Sequence, residues 1–129
     1  TDIDYAALAE FRFALRRFQV FSEARAAEAG LTPQQHQALL AIRAADPDEA
    51  TGGYVAQRLI VKPHSASELI NRPEGLVLVR REPTRRDRRR ALQRLMPQAI
   101  EILSNLSAAH REEIRRLQPL LVQHLTRLT

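Results

Sequence analysis

The stretch from residue 80 to residue 94, RREPTRRDRRRALQR, constrains the fold of this chain more than any other feature. It holds eight arginines and only two acids, Glu82 and Asp87, and it follows an apolar run at residues 76–79. The pattern predicts two short strands, near residues 76–82 and 89–95, joined by a charged loop that contains a proline. Two short helical segments joined by a turn precede it. The middle of the chain therefore has the outline of a winged helix-turn-helix.

Composition and length limit the class of protein. The chain has 129 residues, of which 44% are hydrophobic and none is cysteine, so we expect one globular domain over residues 1–129 without a disulfide framework or a thiolate zinc site. No apolar run approaches the length of a membrane span, and Asp2 and Asp4 lie where a signal peptide would carry positive charge. We expect a cytoplasmic protein with no membrane partner and no cofactor.

Positive charge is concentrated in the middle of the chain. Residues 58–94 carry eleven cations against four acids, whereas residues 1–57 carry five cations against eight acids. Nineteen of the twenty cations are arginine, whose guanidinium group contacts phosphate and guanine edges with two hydrogen bonds. Localised charge of this kind indicates a phosphate-binding surface, and double-stranded DNA is the expected partner.

Apolar spacing and capping residues predict five helical regions. The first spans residues 4–28, with a stripe that includes Leu8, Phe11, Leu15 and Phe18. A second helix begins at Thr32 and Pro33 and ends before Pro47, and a third is capped by Thr51 and runs to about Leu59. A fourth spans residues 63–72. A long C-terminal region begins at Pro97, and Pro119 predicts a break between two helices there.

The two terminal regions pose a question of burial. Both carry long apolar stripes, and the chain offers few elements to cover them. A second copy of the chain would cover both, so helices at about 1–30 and 97–129 are predicted to form a homodimer around a winged helix-turn-helix at about 31–96. The alternative is an ordinary bundle within one chain.

The chain resembles the MarR family of winged-helix transcription regulators over essentially its whole length. The resemblance rests on residues 31–35 (LTPQQ), 55–59 (VAQRL) and 63–72 (PHSASELINR). Its most specific element is Asp87-Arg88-Arg89 followed by Leu95-Met96-Pro97, which is similar to the family's Asp-x-Arg wing and Leu-Thr-Pro helix start. The resemblance implies a mainly α fold with a small β-hairpin wing, flanked by N- and C-terminal dimerisation helices.

The sequence departs from the family pattern at three places. Met96 replaces the usual threonine, so the last helix lacks a capping hydroxyl, and Ala99 stands where glycine is usual. Residues 73–79 read PEGLVLV, with Gly75 two residues early and Pro73 at a leucine position. This moves the expected exit of the fourth helix by about two residues.

A winged helix-turn-helix places its second helix in the major groove. In this chain Lys62 and Arg72 are expected to hold phosphates, while His64, Ser65 and Ser67 contact bases or phosphates; the alternative for the two serines is helix capping. Arg85, Arg86 and Arg88 lie near the predicted wing tip, which would follow the minor groove. The family resemblance implies that Asp87 holds the loop through a neighbouring arginine and that Arg89 is the signature arginine. The alternative is a solvated charged hairpin.

The resemblance also implies a possible small aromatic or phenolic effector. Many family members bind one between the dimerisation helices and the winged domain, which weakens their DNA affinity. The corresponding candidates are Phe11, Arg12, Leu15, Arg16, His36 and Leu39, and the alternative is that these are ordinary core and surface residues. The resemblance then implies a ligand-responsive homodimeric repressor of a pseudo-palindromic operator.

Other classes of function are less well supported. The four histidines, His36, His64, His110 and His124, show no compact metal-ligand spacing, so no metal site is expected. No glycine-rich phosphate loop or nucleophile motif is visible, which argues against an enzyme. The alternative function is a non-specific nucleic-acid-binding or protein-interaction winged helix without an effector; aromatic residues are only 5% of the chain, which disfavours single-strand stacking.

Overall fold

The computed structural model of the chain describes residues 2–70, 78–84 and 90–129. Within those ranges the chain forms five α-helices and two β-strands. The helices are α1 (Tyr5–Glu28), α2 (Pro33–Ala44), α3 (Gly52–Leu59), α4 (Pro63–Ile70) and α5 (Pro97–Leu128), and the strands are β1 (Val79–Pro83) and β2 (Ala91–Leu95). The predicted fold class, mainly helical with a small hairpin, is confirmed.

Helix α1 begins where the sequence predicts, because the Oδ1 atom of Asp4 accepts a hydrogen bond from the Ala7 amide at 2.9 Å. The face that α1 buries within the chain agrees with the predicted stripe only in part, since Phe11 and Phe18 are half-buried. Its buried residues are Ala7, Ala14 and Ala26. Leu8 and Leu15 are instead 41% and 43% exposed. The periodic pattern identifies apolar positions, but it does not tell which of two adjacent apolar faces the same chain covers.

The next two helices have the predicted caps. The Gln35 amide donates to the Thr32 hydroxyl at 3.1 Å, and the Thr32 amide donates to the Gln35 side-chain oxygen at 3.0 Å, which forms a capping box. Thr51 caps α3 by accepting from the Tyr54 amide at 3.1 Å. Helix α3 ends at Ile60, whose φ of 56° lies in the left-handed region. The backbone therefore turns sharply between α3 and α4.

One core holds α2, α3 and α4 together as a helix-turn-helix. Its buried residues are Ala38, Ile42, Ala50, Val55, Ala56 and Ala66. Val79 of β1 and Leu95 of β2 pack against the same cluster, and they also pack against a second cluster that includes Leu39, Leu103 and Leu106. The hairpin thus lies against both cores.

The hairpin is antiparallel, with Val79 opposite Leu95 and Pro83 opposite Ala91. Strand β1 ends one residue later than predicted, because Pro83 still pairs across the hairpin. Strand β2 begins at Ala91 rather than near residue 89. Residues 76, 77 and 89 of the predicted strands lie outside the described part of the chain.

Helix α5 is continuous from Pro97 to Leu128, with Pro119 inside it, so the predicted break into two helices is wrong. Proline removes one backbone donor, but residues on both sides of it are buried on one face. That face follows a seven-residue step through Leu103, His110, Leu117 and His124. Packing on both sides of Pro119 keeps the two parts of α5 in one helix.

Helices α1 and α5 pack against each other along the chain. The guanidinium of Arg127 near the end of α5 binds the Asp4 carboxylate at 2.9 Å, which links the two ends. Both helices nevertheless expose large apolar side chains: Tyr5, Leu8, Phe13, Leu15 and Val20 on α1, and Ile114, Leu120, Val122 and Leu125 on α5. We call these nine residues the exposed apolar residues of α1 and α5. Among the described residues, no helix is both long and apolar enough to cross a membrane.

Candidate nucleic-acid interface

Helix α4 presents a short polar face to the solvent. Ala66 is fully buried against the helix-turn-helix core, so the opposite side of the helix points outward. His64, Ser65, Ser67 and Glu68 are exposed. Three of these four were predicted as DNA contacts, and the structure brings them onto one surface.

The start of α4 leaves its polar side chains available. The Ala66 amide donates to the Lys62 carbonyl at 3.2 Å, which closes the first turn without a side chain. Lys62 itself is exposed. Within the described residues, neither the Ser65 nor the Ser67 hydroxyl makes a hydrogen bond, so the capping role considered for them is not used here. Arg72, the other predicted phosphate contact near α4, lies outside the described residues.

Glu68 is an exposed residue of α4 that the sequence analysis did not select. Its Oε1 atom lies 3.1 Å from Nε2 of His64, one helical turn earlier. The spacing of four residues between a histidine and a glutamate could have revealed this pair. The polar face of α4 therefore contains a carboxylate as well as hydroxyl groups.

The described part of the wing carries four arginines. Arg80, Arg81 and Arg90 are exposed, while Arg94 is half-buried. The predicted tip residues Arg85, Arg86, Asp87, Arg88 and Arg89 lie outside the described residues. The exposed arginines of the described wing extend the positive charge of the middle third beyond α4.

Arg94 links the wing to the helix-turn-helix. Its Nε atom donates to Oε2 of Glu82 across the hairpin at 2.8 Å, and its Nη1 atom donates to the carbonyl of Pro47 at 2.6 Å. The same hydrogen bond to Arg94 lowers the pKa of Glu82 below its usual range. The charge of Arg94 is therefore engaged within the chain, which counting arginines in the sequence could not show.

Backbone hydrogen bonds also attach the base of the wing to the loop between α2 and α3. The Gln93 amide donates to the Ala50 carbonyl at 2.7 Å, and the Met96 amide donates to the Leu78 carbonyl at 2.8 Å. Thr51 and Leu92 form an antiparallel bridge. The base of the hairpin is thus joined to the loop between α2 and α3, which fixes its position relative to α4.

The six candidate effector residues differ in their exposure. Arg12, Leu15 and Arg16 are exposed and Phe11 is half-buried, whereas His36 and Leu39 are buried. Leu39 belongs to the core beside Leu103 and Leu106. In this structure the members on α1 and α2 differ in exposure, and Leu39 is a core residue.

His36 contacts His110, a histidine far from it in the sequence. Its ring centroid lies 4.9 Å from that of His110, which also has edge contacts with Phe18 and Phe21. His110 donates from Nδ1 to the Leu106 carbonyl at 2.7 Å and shares a 2.8 Å hydrogen bond with the Ser22 hydroxyl. Burial, with a smaller contribution from His110, lowers the pKa of His36. This cluster joins α1, α2 and α5.

Within residues 2–70, 78–84 and 90–129, no group of three or more histidine, aspartate or glutamate side chains is placed to hold an ion. His124 is buried on α5 and His64 is exposed on α4, so these two histidines have different environments.

This architecture is similar to that of known proteins. A family model described as MarR family matches residues 29–90, which include the helix-turn-helix and most of the wing. No curated protein matches the chain. Solved structures share the fold over most of the chain, and their agreement confirms the resemblance and the winged-helix fold predicted from the sequence.

Three of these structures are representative. AbsC, a MarR family transcriptional regulator from Streptomyces coelicolor, is 24% identical, with a TM-score of 0.74 over 90% of this chain and 78% of that one. MepR from Staphylococcus aureus, in a complex with DNA, is 20% identical, with a TM-score of 0.73 over 92% and 85%. A "probable transcriptional regulator" from Pseudomonas aeruginosa is 27% identical, with a TM-score of 0.65 over 88% and 87%.

Proposed function

Because this chain has the MarR-family winged-helix fold, we propose that it is a transcription regulator that binds double-stranded DNA in a sequence-specific manner. The observation that carries the proposal is the exposed polar face of α4, whose opposite side is fixed in the core by Ala66. A helix held in this way can enter the major groove as a rigid body. The structure of MepR, which shares the fold, was solved with DNA.

In the proposed complex the two parts of the site have different tasks. His64, Ser65 and Ser67 contact base edges or nearby phosphates, and Lys62 and Arg72 hold phosphates beside the groove. The wing follows the minor groove with Arg85, Arg86, Arg88 and Arg89, while Asp87 holds the loop. The arginines of the described part of the wing support this, since Arg80, Arg81 and Arg90 are exposed and add positive charge next to the proposed groove contacts.

We propose that the functional unit is a homodimer. The support is the exposed apolar residues of α1 and α5, which the chain's own helices leave uncovered although α1 and α5 pack together. A second copy related by a two-fold axis would bury a part of these side chains. Two α4 helices would then meet a pseudo-palindromic operator with half-sites about one helical turn apart.

We also propose that the chain is a repressor whose DNA binding responds to a ligand. The proposed effector is a small aromatic or phenolic acid bound near Phe11, Arg12, Leu15, Arg16, His36 and Leu39. The exposed guanidinium groups of Arg12 and Arg16 offer partners for a carboxylate. Binding between the terminal helices and the winged domain would change the separation of the two α4 helices and so weaken DNA binding.

Selection of bound fragments from a random duplex pool tests the proposal, followed by affinity measurements at several salt concentrations. The expected result is one enriched inverted repeat, bound by two chains with a steep salt dependence. A single-stranded version of the enriched sequence is the matched control and should bind more weakly. Equal weak binding to all sequences would contradict the proposal and favour a non-specific winged-helix module.

A further inference from the structure

Glu68 lies at the centre of the exposed face of α4. With about 100° of rotation per helical residue, its direction falls between those of His64 and Ser65 and about 160° from that of Ala66. The side chain of Glu68 is 70% exposed, whereas Ala66 is 0% exposed. Any approach of this face to a duplex therefore brings Glu68 close to the floor of the groove.

A carboxylate at this position needs a specific partner. Residues 58–94 carry eleven cations against four acids, so the surrounding surface attracts phosphates and Glu68 opposes that attraction. The His64 ring, 3.1 Å away, holds the Oε1 atom beside the helix. Within the described residues the second oxygen, Oε2, has no partner, and it can accept a hydrogen bond from a group outside the chain.

The chemistry of a carboxylate restricts what that group can be. Among the four exposed side chains of α4, only Glu68 when ionised is an acceptor alone, because hydroxyl and imidazole groups can both donate and accept. In the major groove guanine presents two acceptors and thymine one, which would repel the carboxylate. Adenine has a donor next to an acceptor. Cytosine presents its N4 amino group, a donor that matches a carboxylate.

We propose that Glu68 determines base specificity by accepting a hydrogen bond from the N4 amino group of a cytosine in each half-site. The inference rests on the proposed function, since it requires α4 to lie in the major groove. It adds a defined sequence requirement at one operator position, made by a residue that opposes non-specific phosphate binding and therefore favours the correct site over other DNA.

The test is selection from a random duplex pool with the full chain, Glu68→Gln, Glu68→Ala and the control Glu101→Gln. The control removes one exposed acid from α5 and makes the same change in net charge as Glu68→Gln. Binding of the selected site and of its three single-base replacements at each position is then measured for every variant.

The expected result is one cytosine position per half-site whose preference depends on Glu68. Replacing that cytosine should weaken binding by the full chain roughly 5- to 150-fold. Glu68→Ala should lose the preference, Glu68→Gln should shift it toward adenine, whose donor and acceptor match an amide, and Glu101→Gln should keep it.

Two other outcomes are distinguishable. If the full chain selects an operator and both Glu68 variants keep its base preferences at every position, then Glu68 is only a solvated partner of His64 and the inference is wrong, while the proposed function stands. If the full chain selects no sequence, the proposed function fails and the inference fails with it.

Discussion

Arg94 and Glu82 are joined across the wing by a 2.8 Å hydrogen bond between Nε and Oε2, and the same arginine reaches the Pro47 carbonyl. The pair connects two strands to the loop before α3. An arginine in a basic hairpin thus acts as an internal link, and its charge is unavailable to a phosphate while the link is intact.

Replacing this link should loosen the wing. We expect Arg94→Gln to lower both the urea midpoint of unfolding and the affinity for duplex DNA, because the hairpin loses its side-chain connection to the helix-turn-helix. The matched control is Arg80→Gln, since Arg80 lies 3.8 Å from the same Glu82 carboxylate but is 56% exposed, and its urea midpoint should change little. Equal midpoints for the two variants would contradict the role of Arg94.

Acid should destabilise the fold through His36. Because burial lowers the pKa of His36 in the folded chain, the unfolded chain binds the proton more readily. His36 therefore contributes its full stabilisation above its ordinary pKa of 6.5, and this contribution falls as the pH decreases below that value. We expect the urea midpoint to decline in that range for the parent chain and to decline less for His36→Gln.

The contribution of the carboxylates to stability can be distinguished from that of His36, because the two change in different pH ranges. The pKa values of Asp4 and Glu82 are lowered in the folded chain, so both carboxylates stabilise the fold above their ordinary pKa values of 3.8 and 4.5. This stabilisation is lost below those values. The range between 4.5 and 6.5 therefore reports mainly on histidine. An identical slope for His36→Gln and the parent chain there would show that His36 does not contribute.

Ile60 has a left-handed backbone with a φ of 56°, although it is β-branched and 91% exposed. We expect Ile60→Asn to raise the free energy of unfolding by about 1 kcal/mol, because asparagine tolerates this conformation and no buried contact is lost. Gly30 is the opposite case, because a glycine already occupies its φ of 80°, with open space where a Cβ would be. Gly30→Ala should lower the free energy of unfolding by about 1 kcal/mol. Urea unfolding of both variants measures whether the two changes have these opposite signs.

Charged substitutions among the exposed apolar residues of α1 and α5 should separate the proposed dimer. Phe13 of α1 and Val122 of α5 are 56% and 54% exposed, and Phe13→Glu combined with Val122→Glu would place carboxylates in the interface. Sedimentation should show a dimer for the parent chain and a monomer for the double variant. Leu40→Glu, at an exposed leucine of α2, is the control and should stay dimeric; a monomeric parent chain would refute the prediction.

The wing arginines should contribute mainly to sequence-independent affinity. Arg86→Ala combined with Arg88→Ala is expected to weaken binding to all duplexes and to reduce the salt slope by up to about 1.8, if each arginine contacts one phosphate. Arg111→Ala combined with Arg116→Ala, on α5, removes the same charge and should leave most of the slope. Equal salt slopes for the two double variants would show that the wing is not part of the DNA interface.

Local features of this fold could be predicted from the sequence because their causes are local. The Thr32–Gln35 capping box and the Thr51 cap each depend on residues three positions apart, and Pro33 begins α2 as predicted. The same holds for the polar face of α4, where the exposed His64, Ser65 and Ser67 were identified from the residue pattern alone.

Part of the candidate site could not be predicted so directly. Glu68 was not predicted although its partner His64 is only four residues away, because a carboxylate repels the phosphates that a basic surface attracts. Arg94 was grouped with the other wing arginines, since its second partner, the Pro47 carbonyl, is 47 residues away in the sequence. A count of charges gives the sign of a surface but not the partner of each group.

The amino-acid sequence by itself determined the helix caps, the order of the elements, the basic hairpin and the resemblance to the MarR family, because these depend on neighbouring residues and on the spacing of apolar side chains. Only the tertiary structure decided that α5 continues through Pro119, that His110 and His124 lie on the buried side of α5 and that Leu8 and Leu15 remain exposed. The physical reason is that burial depends on which surfaces other helices cover. Apolar periodicity fixes the faces of a helix, and packing between distant segments selects the face that is buried.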